Sequence, residues 1–382
     1  MKSSPRILFL VTEDWYFWMH WLNLARTTRD AGFEVLLAMR IQEHGQQISH
    51  QGFKLFPIGL LRRSLNPIRE LLAVWELVRL YRSEKPDIVY HIAVKPILYG
   101  SIAARLAGIR RVINVFAGLG YAYTSKNVNA RLLRLFLRVG LRAAWAHGRS
   151  IAVFQNEEDR AQLIRDRTVV ESRTRVIPGT GVDIERFQPA PTKAQEPMVL
   201  LACRMLWDKG VGEFVEAARL IRQLGVKARF VLVGRCDDDN PASIGFLQLQ
   251  RWQKEGVVEW WGHRDDMPTV FSMASVVVLP SYREGLPVSL LEAAACGKPI
   301  VATDVPGCRD VVRHRVNGLL VPLRDASALA DSIATLLENE ELRVDLGRRG
   351  REIVVKEFSA AAVTAQTLAL YRELLCGAAQ GL

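Results

Sequence analysis

The chain has 382 residues, which is more than one ordinary hydrophobic core holds, so two domains are expected. Hydrophobic residues make up 49% of it, a composition that excludes a disordered protein. Its five cysteines form an odd set without a C-x-x-C pair, which argues against a disulfide framework or a zinc site and favours a reducing cytosol. We expect the apolar start to be a buried strand rather than a signal peptide, and no segment has the roughly 20 apolar residues of a spanning helix.

The net charge of +11 is distributed unevenly along the chain. Up to Phe187 there are 28 Lys and Arg against 16 Asp and Glu, and from Gln188 onward there are 23 against 24. The first part therefore carries a net charge of +12 and the second −1. A basic first half can meet nucleic acid, an anionic membrane surface or a phosphorylated substrate.

The first half alternates predicted strands and helices in chain order. Asn66 is the predicted N-cap of the longest helix, with Pro67 at its first position. Short apolar strands separated by helices predict a parallel sheet with helices on both faces. The predicted strands cover residues 6–11, 33–39, 86–92 and 111–118, and the predicted helices 18–32, 66–85 and 95–108.

The same alternation restarts at residue 197, after a Gly- and Pro-rich linker over 175–197. The fold class expected is therefore α/β, with two doubly wound, Rossmann-like domains facing an interdomain cleft. The expected boundaries are 1–187 for the first domain and 188–359 for the second, with a C-terminal helix over 360–382 packing back on the first. Ligands of such folds bind at the carboxyl ends of the strands.

Two glutamates stand in the stretch "LPSYREGLPVSLLEAAACGKPIVAT". It reads as a buried strand, a tight loop with Glu284, and a helix from Pro287 that contains Glu292. The helix N-terminus is an anion site, and the carboxylates accept hydrogen bonds from hydroxyl groups. The alternative, which would be favoured for two glutamates considered in isolation, is that Glu284 caps a turn and Glu292 is a solvated helix residue. The whole stretch favours a ligand with a phosphate centre and hydroxyls at both ends, which is a nucleotide sugar.

Two cations follow the first strand of the second domain, in "CRMLWDKG". Arg204 can bind diphosphate oxygens bidentately, and Lys209 supplies a point charge. A solvated turn is the alternative for either residue alone. Because both fall at the edge where the glutamate loop is expected, we predict a diphosphate site.

These segments, together with "VNGLLVP" and "VIPGTGVDIERFQP", resemble the retaining glycosyltransferases of family 4, which have the GT-B fold. The resemblance covers essentially the whole chain. It implies that Glu284 binds the donor sugar, Glu292 the ribose, and Arg204 with Lys209 the diphosphate, and that the loop residues Gly285, Leu286 and Pro287 line the donor. It also implies that the two glutamates meet hydroxyl groups rather than a cation.

The first half narrows the resemblance to a branch of the family. "TEDWYF", "DIVYHIAVKPILYGSIAARLAG" and "VFAGLGYAY" are similar to enzymes that build bacterial surface polysaccharides on undecaprenyl diphosphate. A dinucleotide fingerprint at "FAGLGYAY" is disfavoured, because the third glycine is missing and the segment does not follow the first strand.

Several polar residues of the first half are candidates for the acceptor side. His91 is either a substrate contact near the reacting carbon or a packed core histidine, since a shift of one residue along a strand reverses its face. Lys95 is either a phosphate ligand or simply exposed, and His20 is interpreted as structural. The residues expected to bind the acceptor are Asp14, Lys95, Gly118 and Gly120.

Arginines recur on one side of a predicted helix in "NARLLRLFLRVGLRAAW". A core helix with a solvated arginine face is one interpretation, and a basic amphipathic helix lying on anionic lipid is the other. The charge of the first half favours the second, with docking on the cytoplasmic face of the bacterial plasma membrane. The residues expected at the membrane are Arg131, Arg134, Arg138 and Arg142.

Asp237 and Asp239 form a D-x-D pair in "RCDDDNP", a pattern that can bind a divalent metal in another glycosyltransferase fold. We interpret this pair as a solvated loop, and neither a metal nor another cofactor is expected. The donor is a substrate.

The sequence therefore predicts a retaining glycosyltransferase that moves a sugar, HexNAc or galactose, from a UDP-sugar to a lipid-diphosphate-linked saccharide. A non-hydrolysing UDP-sugar epimerase of the same architecture is the alternative enzyme. The net charge leaves a nucleic-acid-binding protein as an alternative of another class, although no aromatic-basic repeat or helix-turn-helix is visible. An inactive scaffold at the membrane is disfavoured by the intact donor motifs.

Overall fold

The structure is a computed structural model. It describes residues 4–61, 66–118, 138, 140–142, 145, 149–190, 196–237 and 240–376. The chain divides into two compact units, the first made of Met1–Thr180 with Val363–Leu382 and the second of Gly181–Ala362. The division falls after Thr180, whereas the sequence placed the boundary after Phe187. Val182 accounts for the difference, because it pairs with Ser359 of the second unit through a β-bridge.

The first unit is built of strands and helices in alternation. Its strands are β1 (Arg6–Glu13), β2 (Glu34–Arg40), β3 (Lys54–Pro57), β4 (Ile88–Ile92), β5 (Arg111–Phe116), β6 (Arg149–Phe154) and β7 (Thr174–Val176). Its helices are α1 (Asp14–His20), α2 (Leu22–Asp30), α3 (Gly45–His50), α4 (Pro67–Glu84), α5 (Val94–Ala107) and α6 (Glu157–Arg165).

The described strands of the first unit form one parallel sheet in the order β3-β2-β1-β4-β5-β6-β7. The four central strands are almost entirely buried, as their continuous apolar runs predict. The side chain of Asn66 caps α4 by accepting the amides of Ile68 and Arg69, and Pro67 begins the helix, as predicted.

One helix predicted over 18–32 is in fact two. α1 begins at Asp14, and Trp21, with φ −118° and ψ −11°, forms a turn residue between α1 and α2. The Trp21 ring is buried and meets the Tyr90 ring edge-on at 6.1 Å. Burial of this large ring favours the break over one continuous helix, a tertiary preference that apolar spacing does not report.

The second unit repeats the alternation. Its strands are β8 (Met198–Ala202), β9 (Arg229–Val233), β10 (Glu259–Trp260), β11 (Val276–Leu279), β12 (Ile300–Thr303) and β13 (Gly318–Val321). Its helices are α7 (Val211–Gln223), α8 (Phe246–Lys254), α9 (Met267–Met273), α10 (Val288–Ala295), α11 (Cys308–Val311), α12 (Ala326–Glu338) and α13 (Glu340–Ile353). A last helix, α14 (Ala360–Cys376), leads from the second unit into the closing segment of the first.

The described strands of the second unit form a parallel sheet in the order β10-β9-β8-β11-β12-β13. The order runs outward from β8 in one direction and from β11 in the other, so the strand order reverses between these two neighbours. In open α/β sheets such a switch point opens a crevice at the carboxyl ends of the strands. Whatever follows β8 and β11 is therefore placed at a natural ligand site.

Candidate active site

The predicted donor residues meet at this switch point. Arg204 and Lys209 follow β8, and Glu284 follows β11, its hydrogen-bonded neighbour. Lys209 Nζ lies 2.5 Å from Glu284 Oε1. The two motifs, 75 residues apart in the chain, are therefore joined by a direct ion pair.

This ion pair corrects one expectation. The family resemblance implied that the Glu284 carboxylate meets hydroxyls rather than a cation, but Lys209 neutralises it from the segment after the neighbouring strand. Proximity in the chain could not show a partner delivered by sheet pairing. With about a fifth of the Lys209 side chain and a tenth of the Glu284 side chain exposed, the pair remains reachable for a ligand.

Asp237 also belongs to this cluster, contrary to its interpretation as a solvated loop residue. Its carboxylate lies 2.6 Å from Arg204 Nη1, and only 12% of its side chain is exposed. β9 precedes Asp237 and pairs with β8, so the sheet again brings the two loops together. The position of Asp237 shortly after β9, a strand next to β8, is the sequence signal that could have revealed this contact. Asp239 lies outside the described residues.

Three glycines allow these loops to approach one another, and sequence reasoning missed their role. A Cβ at Gly210 would lie 2.0 Å from the Pro280 carbonyl oxygen, and one at Gly234 would lie 1.8 Å from that of Cys203. A Cβ at Gly307 would lie 2.7–2.8 Å from the Cβ and main chain of Glu284. Gly307 also has φ +80°, so a side chain would be strained as well as crowded. The positions of Lys209, Arg204 and Glu284 thus depend on backbone contacts that only glycine permits.

The loop from Glu284 to α10 is held tightly. Gly285, Leu286 and Pro287, which follow Glu284 directly, are buried. Pro287 is the N-cap of α10 rather than its first residue. The Glu284 amide donates to the Pro306 carbonyl at 3.2 Å. The loop therefore presents the Glu284 carboxylate from a fixed main chain.

Glu292 lies in the second turn of α10, and its carboxyl group is mostly enclosed. Removal from water raises the pKa of Glu292 to about 8, and the opposite charge of Arg186 acts in the other direction. Near neutral pH this carboxyl group can change its protonation state when a ligand arrives. Such a group is characteristic of a binding site rather than of a solvated helix face.

The Cys203 thiol lies within the electrostatic influence of Lys209, Glu284 and Arg204. Burial raises the pKa of Cys203 to about 12, against the opposing effect of Lys209. It is therefore protonated at neutral pH and is a poor nucleophile.

The structure places His91, predicted as a catalytic candidate, inside the core of the first unit. It is fully buried, with Nδ1 2.8 Å from Asn114 Oδ1 and Nε2 3.0 Å from the Tyr81 hydroxyl. Burial lowers the pKa of His91 to about 4, so the ring is neutral at physiological pH. Because both ring nitrogens have partners in the core, the structure supports the core interpretation over the substrate contact.

Asp14, expected at the acceptor, is also part of the fold. One carboxylate oxygen accepts the amides of Gln42, Glu43 and His44 at 2.8–2.9 Å, and the other accepts the amide of Trp15 at 2.8 Å. The residue is fully buried. These contacts fix the loop after β2 beside the end of β1, so the geometry assigns Asp14 a structural role instead of an acceptor contact.

The remaining candidates of the first unit are placed as follows. Lys95 Nζ pairs with Glu70 at 2.9 Å and also donates to the Leu61 carbonyl, so it does not stand as a simply exposed cation. Gly118 has φ +99° just after β5. Of the predicted membrane arginines, Arg138 pairs with Asp166 at 3.3 Å and Arg142 donates to the Arg167 carbonyl at 2.9 Å. Gly120, Arg131 and Arg134 lie outside the described residues.

Among the described helices, none combines the length and the apolar content that crossing a bilayer requires.

Known protein families match both halves of the chain. The family described as glycosyl transferases group 1 matches residues 183–353, and the family described as glycosyl transferase 4-like matches residues 6–147. The first match contains Arg204, Lys209, Glu284 and Glu292.

Two of the relatives are named for transfer to undecaprenol-diphosphate-linked saccharides. One is N,N'-diacetylbacillosaminyl-diphospho-undecaprenol alpha-1,3-N-acetylgalactosaminyltransferase of Campylobacter jejuni, 31% identical over 87% of this chain and 89% of the relative. The other is the UDP-Gal:alpha-D-GlcNAc-diphosphoundecaprenol alpha-1,3-galactosyltransferase of Escherichia coli, 28% identical over 80% of each chain.

Solved structures share the fold. The Anabaena protein HepE, in complex with UDP and glucose, has a TM-score of 0.76 over 96% of this chain and 99% of its own, at 19% identity. Sucrose-phosphate synthase of Thermosynechococcus elongatus has a TM-score of 0.77 over 98% and 100%, at 22% identity. The two parallel sheets are those of the GT-B fold, as expected.

The two family matches, the identity to the Campylobacter enzyme over most of both chains and the paired charges at the β8/β11 switch point agree with one another. This chain belongs to the glycosyl transferases of group 1 and is a glycosyltransferase.

Proposed function

We propose that this enzyme transfers a sugar, HexNAc or galactose, from a UDP-sugar to a saccharide carried on a polyprenyl diphosphate. The observation that carries the proposal is the charge cluster at the switch point, where Arg204 and Lys209 follow one strand and Glu284 follows its neighbour. The two relatives named above act on undecaprenol-diphosphate-linked acceptors by their names, and one uses UDP-Gal.

The ion pairs suggest how a donor would enter. Lys209 is paired with Glu284, and Arg204 with Asp237. A diphosphate brings negative charges that attract both cations, since an arginine fork binds phosphate oxygens bidentately. The carboxylate that Lys209 leaves can then accept hydrogen bonds from donor-sugar hydroxyls. Glu292, deeper in α10, is proposed to accept the ribose hydroxyls.

Catalysis is proposed to rest on stabilising the departing UDP. As the bond between the anomeric carbon and the diphosphate oxygen breaks, negative charge grows on that oxygen, and fixed cations in a partly buried site lower the energy of this state. Arg204 and Lys209 supply these charges, together with the main-chain amides at the start of α10. The proposed mechanism uses no metal or other cofactor.

Retention of configuration is proposed through attack on the same face. The acceptor oxygen forms its bond to the anomeric carbon as the bond to the diphosphate breaks, and the acceptor proton moves to the departing diphosphate oxygen. Atoms and charges balance without a protein nucleophile. The protonated Cys203 thiol is consistent with this step.

The enzyme is proposed to meet its acceptor at a membrane surface. The part of the chain up to Phe187 carries the net charge of +12, which favours anionic lipid. We propose that the enzyme works peripherally on the cytoplasmic face of the plasma membrane, where a polyprenyl diphosphate carrier presents its saccharide.

The test is a transfer assay with purified enzyme, a panel of UDP-sugars and a short-prenyl diphosphate saccharide that is soluble without vesicles. We expect one or two UDP-sugars to give a product in which the anomeric proton coupling, measured by NMR, shows the donor's configuration. Arg204→Ala should lower the rate of product formation by about 100-fold or more. Lys227→Gln, an exposed change elsewhere in the same unit, should not lower it. Epimerised UDP-sugar formed without any acceptor would contradict the proposal and indicate the epimerase.

A further inference from the structure

The outer face of α4 exposes apolar side chains to an unusual degree. Ile68, Leu71, Leu72 and Trp75 are 69%, 70%, 62% and 55% exposed. At 100° per residue these four fall within one 100° arc, opposite the buried side of the helix. Scattered exposed apolar residues are ordinary, but four on two consecutive turns form a patch that indicates an interaction surface.

The same helix face becomes basic toward its C-terminal half. Arg79 and Arg82 are exposed within the arc of the apolar residues, and exposed Arg69 borders it. Arg69 and Arg79 form no ion pair within the part of the chain that the structure describes. The acidic residues of α4 do have partners: Glu70 pairs with Lys95, Glu84 pairs with Lys54, and Glu76 accepts the Gly59 amide.

The neighbouring helix α5 extends the patch. Arg82 Nη2 donates to the Leu106 carbonyl at 2.9 Å, which joins the two helices at this side. α5 exposes Ile102 and Leu106, one turn apart, together with Arg105. An open groove of about 740 Å³ lies beside α4, lined by apolar Leu72 and Trp75 and by Arg69 and Arg79. Apolar side chains bordered by arginines thus cover both helices.

We infer that this surface, defined by Ile68, Leu71, Leu72 and Trp75 with Arg69, Arg79 and Arg82, docks the enzyme on an anionic lipid surface. Leucine and isoleucine favour the region between headgroups and acyl chains, and a tryptophan ring settles at headgroup depth. The arginines attract anionic headgroups while their aliphatic stems lie along the apolar patch. Charge complementarity selects anionic lipid over a protein partner. Arg69, Arg79 and Arg82 outnumber the one acid at the groove, Glu76, which accepts the Gly59 amide, while Glu70 and Glu84 are paired with lysines.

This inference rests on the proposed function in one respect, which is that the acceptor is carried on a lipid. It also moves the docking surface from the arginines at 131–142, where the sequence placed it, to α4. Arg138 pairs with Asp166 and Arg142 donates to the Arg167 carbonyl. In the α4 patch, Arg82 likewise donates to a carbonyl, that of Leu106, but Arg69 and Arg79 form no ion pair with the residues that the structure describes.

The test is flotation of the full chain with vesicles of phosphatidylcholine alone and with about 30% phosphatidylglycerol. Leu71→Ser with Trp75→Ser removes apolar area from the patch, and Leu224→Ser with Leu247→Ser, two exposed leucines of the second unit, is the matched control. We expect the wild type and the control to float with the anionic vesicles, and the patch variant to bind at least about tenfold more weakly. Arg79→Gln should weaken binding about fivefold, and Lys227→Gln should not.

Equal flotation of the patch variant and the control would overturn the inference, and so would no flotation of a folded wild type that binds UDP. Self-association of the wild type that the patch variant loses, seen by sedimentation without lipid, would also overturn it and make α4 a dimer interface. The soluble-acceptor assay separates the two proposals. If neither the wild type nor the variants transfer a sugar to the soluble acceptor, the proposed function is contradicted. Flotation shows independently whether the α4 surface binds anionic lipid.

Discussion

The two units use the polar side chains near their strand ends differently. In the first unit, Asp14 and His91 are buried and hydrogen-bonded to groups of the same unit. In the second unit, the charged side chains form ion pairs with one another and remain partly exposed. Asp14 accepts four main-chain amides, and His91 has a partner on each ring nitrogen. Lys209 and Arg204 pair with carboxylates that, in the proposed function, a diphosphate displaces. The same sheet architecture thus uses polar groups for rigidity in one unit and leaves them available for chemistry in the other.

The strongest way to break this comparison is to remove a cation from the second unit. Arg204→Ala should lower kcat/KM by about 100- to 1000-fold, because one charge that stabilises the departing diphosphate is lost. Steady-state transfer kinetics measure the effect, and circular dichroism verifies the fold. A loss below about threefold would show that Arg204 is no more than the partner of Asp237.

A matching change in the first unit should affect stability instead. His91→Leu removes the buried partner of the Tyr81 hydroxyl and leaves Asn114 with Ser101 as its buried side-chain partner. We expect a loss of about 2–5 kcal/mol in the free energy of unfolding. Urea denaturation measures the loss, and the activity per folded molecule should stay within about twofold of the wild type. Normal stability of His91→Leu with a loss of activity of about 100-fold would instead indicate that His91 contributes to catalysis.

The pH dependence of stability sharpens the same point. The folded pKa of His91, about 4, lies below its ordinary value of 6.5, so between these values the unfolded state binds more protons than the folded state. The His91 contribution should therefore be complete above pH 6.5 and be lost as the pH falls toward 4. Thermal melts of the wild type and His91→Leu should differ in slope over this range; identical slopes would mean that His91 is not buried and neutral.

The glycine contacts of the second unit allow a matched pair of substitutions. Gly307→Ala places a Cβ against the Glu284 main chain at φ +80°, whereas Gly225→Ala, at φ +76°, meets nothing within 4 Å. Both pay the left-handed backbone cost of about 1 kcal/mol, and only Gly307→Ala should add a further 1–3 kcal/mol and impair donor binding. Denaturation and UDP-sugar titration measure the two effects. Equal losses would show that the close approach to Glu284 is unimportant.

The smallest expected effect concerns Glu292. Its pKa of about 8 means that the free enzyme must release a proton before the carboxylate can accept hydroxyl hydrogen bonds. UDP-sugar affinity should therefore fall as the pH drops below 8, by at most about tenfold per unit, and the slope should disappear in Glu292→Gln. Calorimetric titrations between about pH 6 and 9 test it. A slope that persists in Glu292→Gln would assign the dependence to another group.

Much of the fold follows from the sequence because apolar runs and caps are local signals. The Asn66–Pro67 start of α4 and the buried strands β1, β4, β8 and β11 depend on a few adjacent residues. The proximity of the loops after β8 and β11 was predictable because their cations and carboxylates follow strands that a doubly wound sheet places side by side.

The partners of those residues were not predictable in the same way. The Lys209–Glu284 and Arg204–Asp237 pairs depend on sheet register and on contacts at Gly210, Gly234 and Gly307 between distant segments. The sequence left the role of His91 open and proposed Asp14 for the acceptor, because a polar residue near a strand end has the same sequence appearance whether its partners are core groups or ligands. Only burial and hydrogen-bond geometry separate the two.

The measurement that tests the central claim most directly is a calorimetric titration of UDP into the wild type, Arg204→Ala and His91→Leu. The account predicts that the folded wild type and His91→Leu bind UDP with similar affinity, and that Arg204→Ala loses at least about tenfold. Equal UDP affinity in the wild type and Arg204→Ala, with both folded, would contradict the placement of the diphosphate at the switch point of the second sheet.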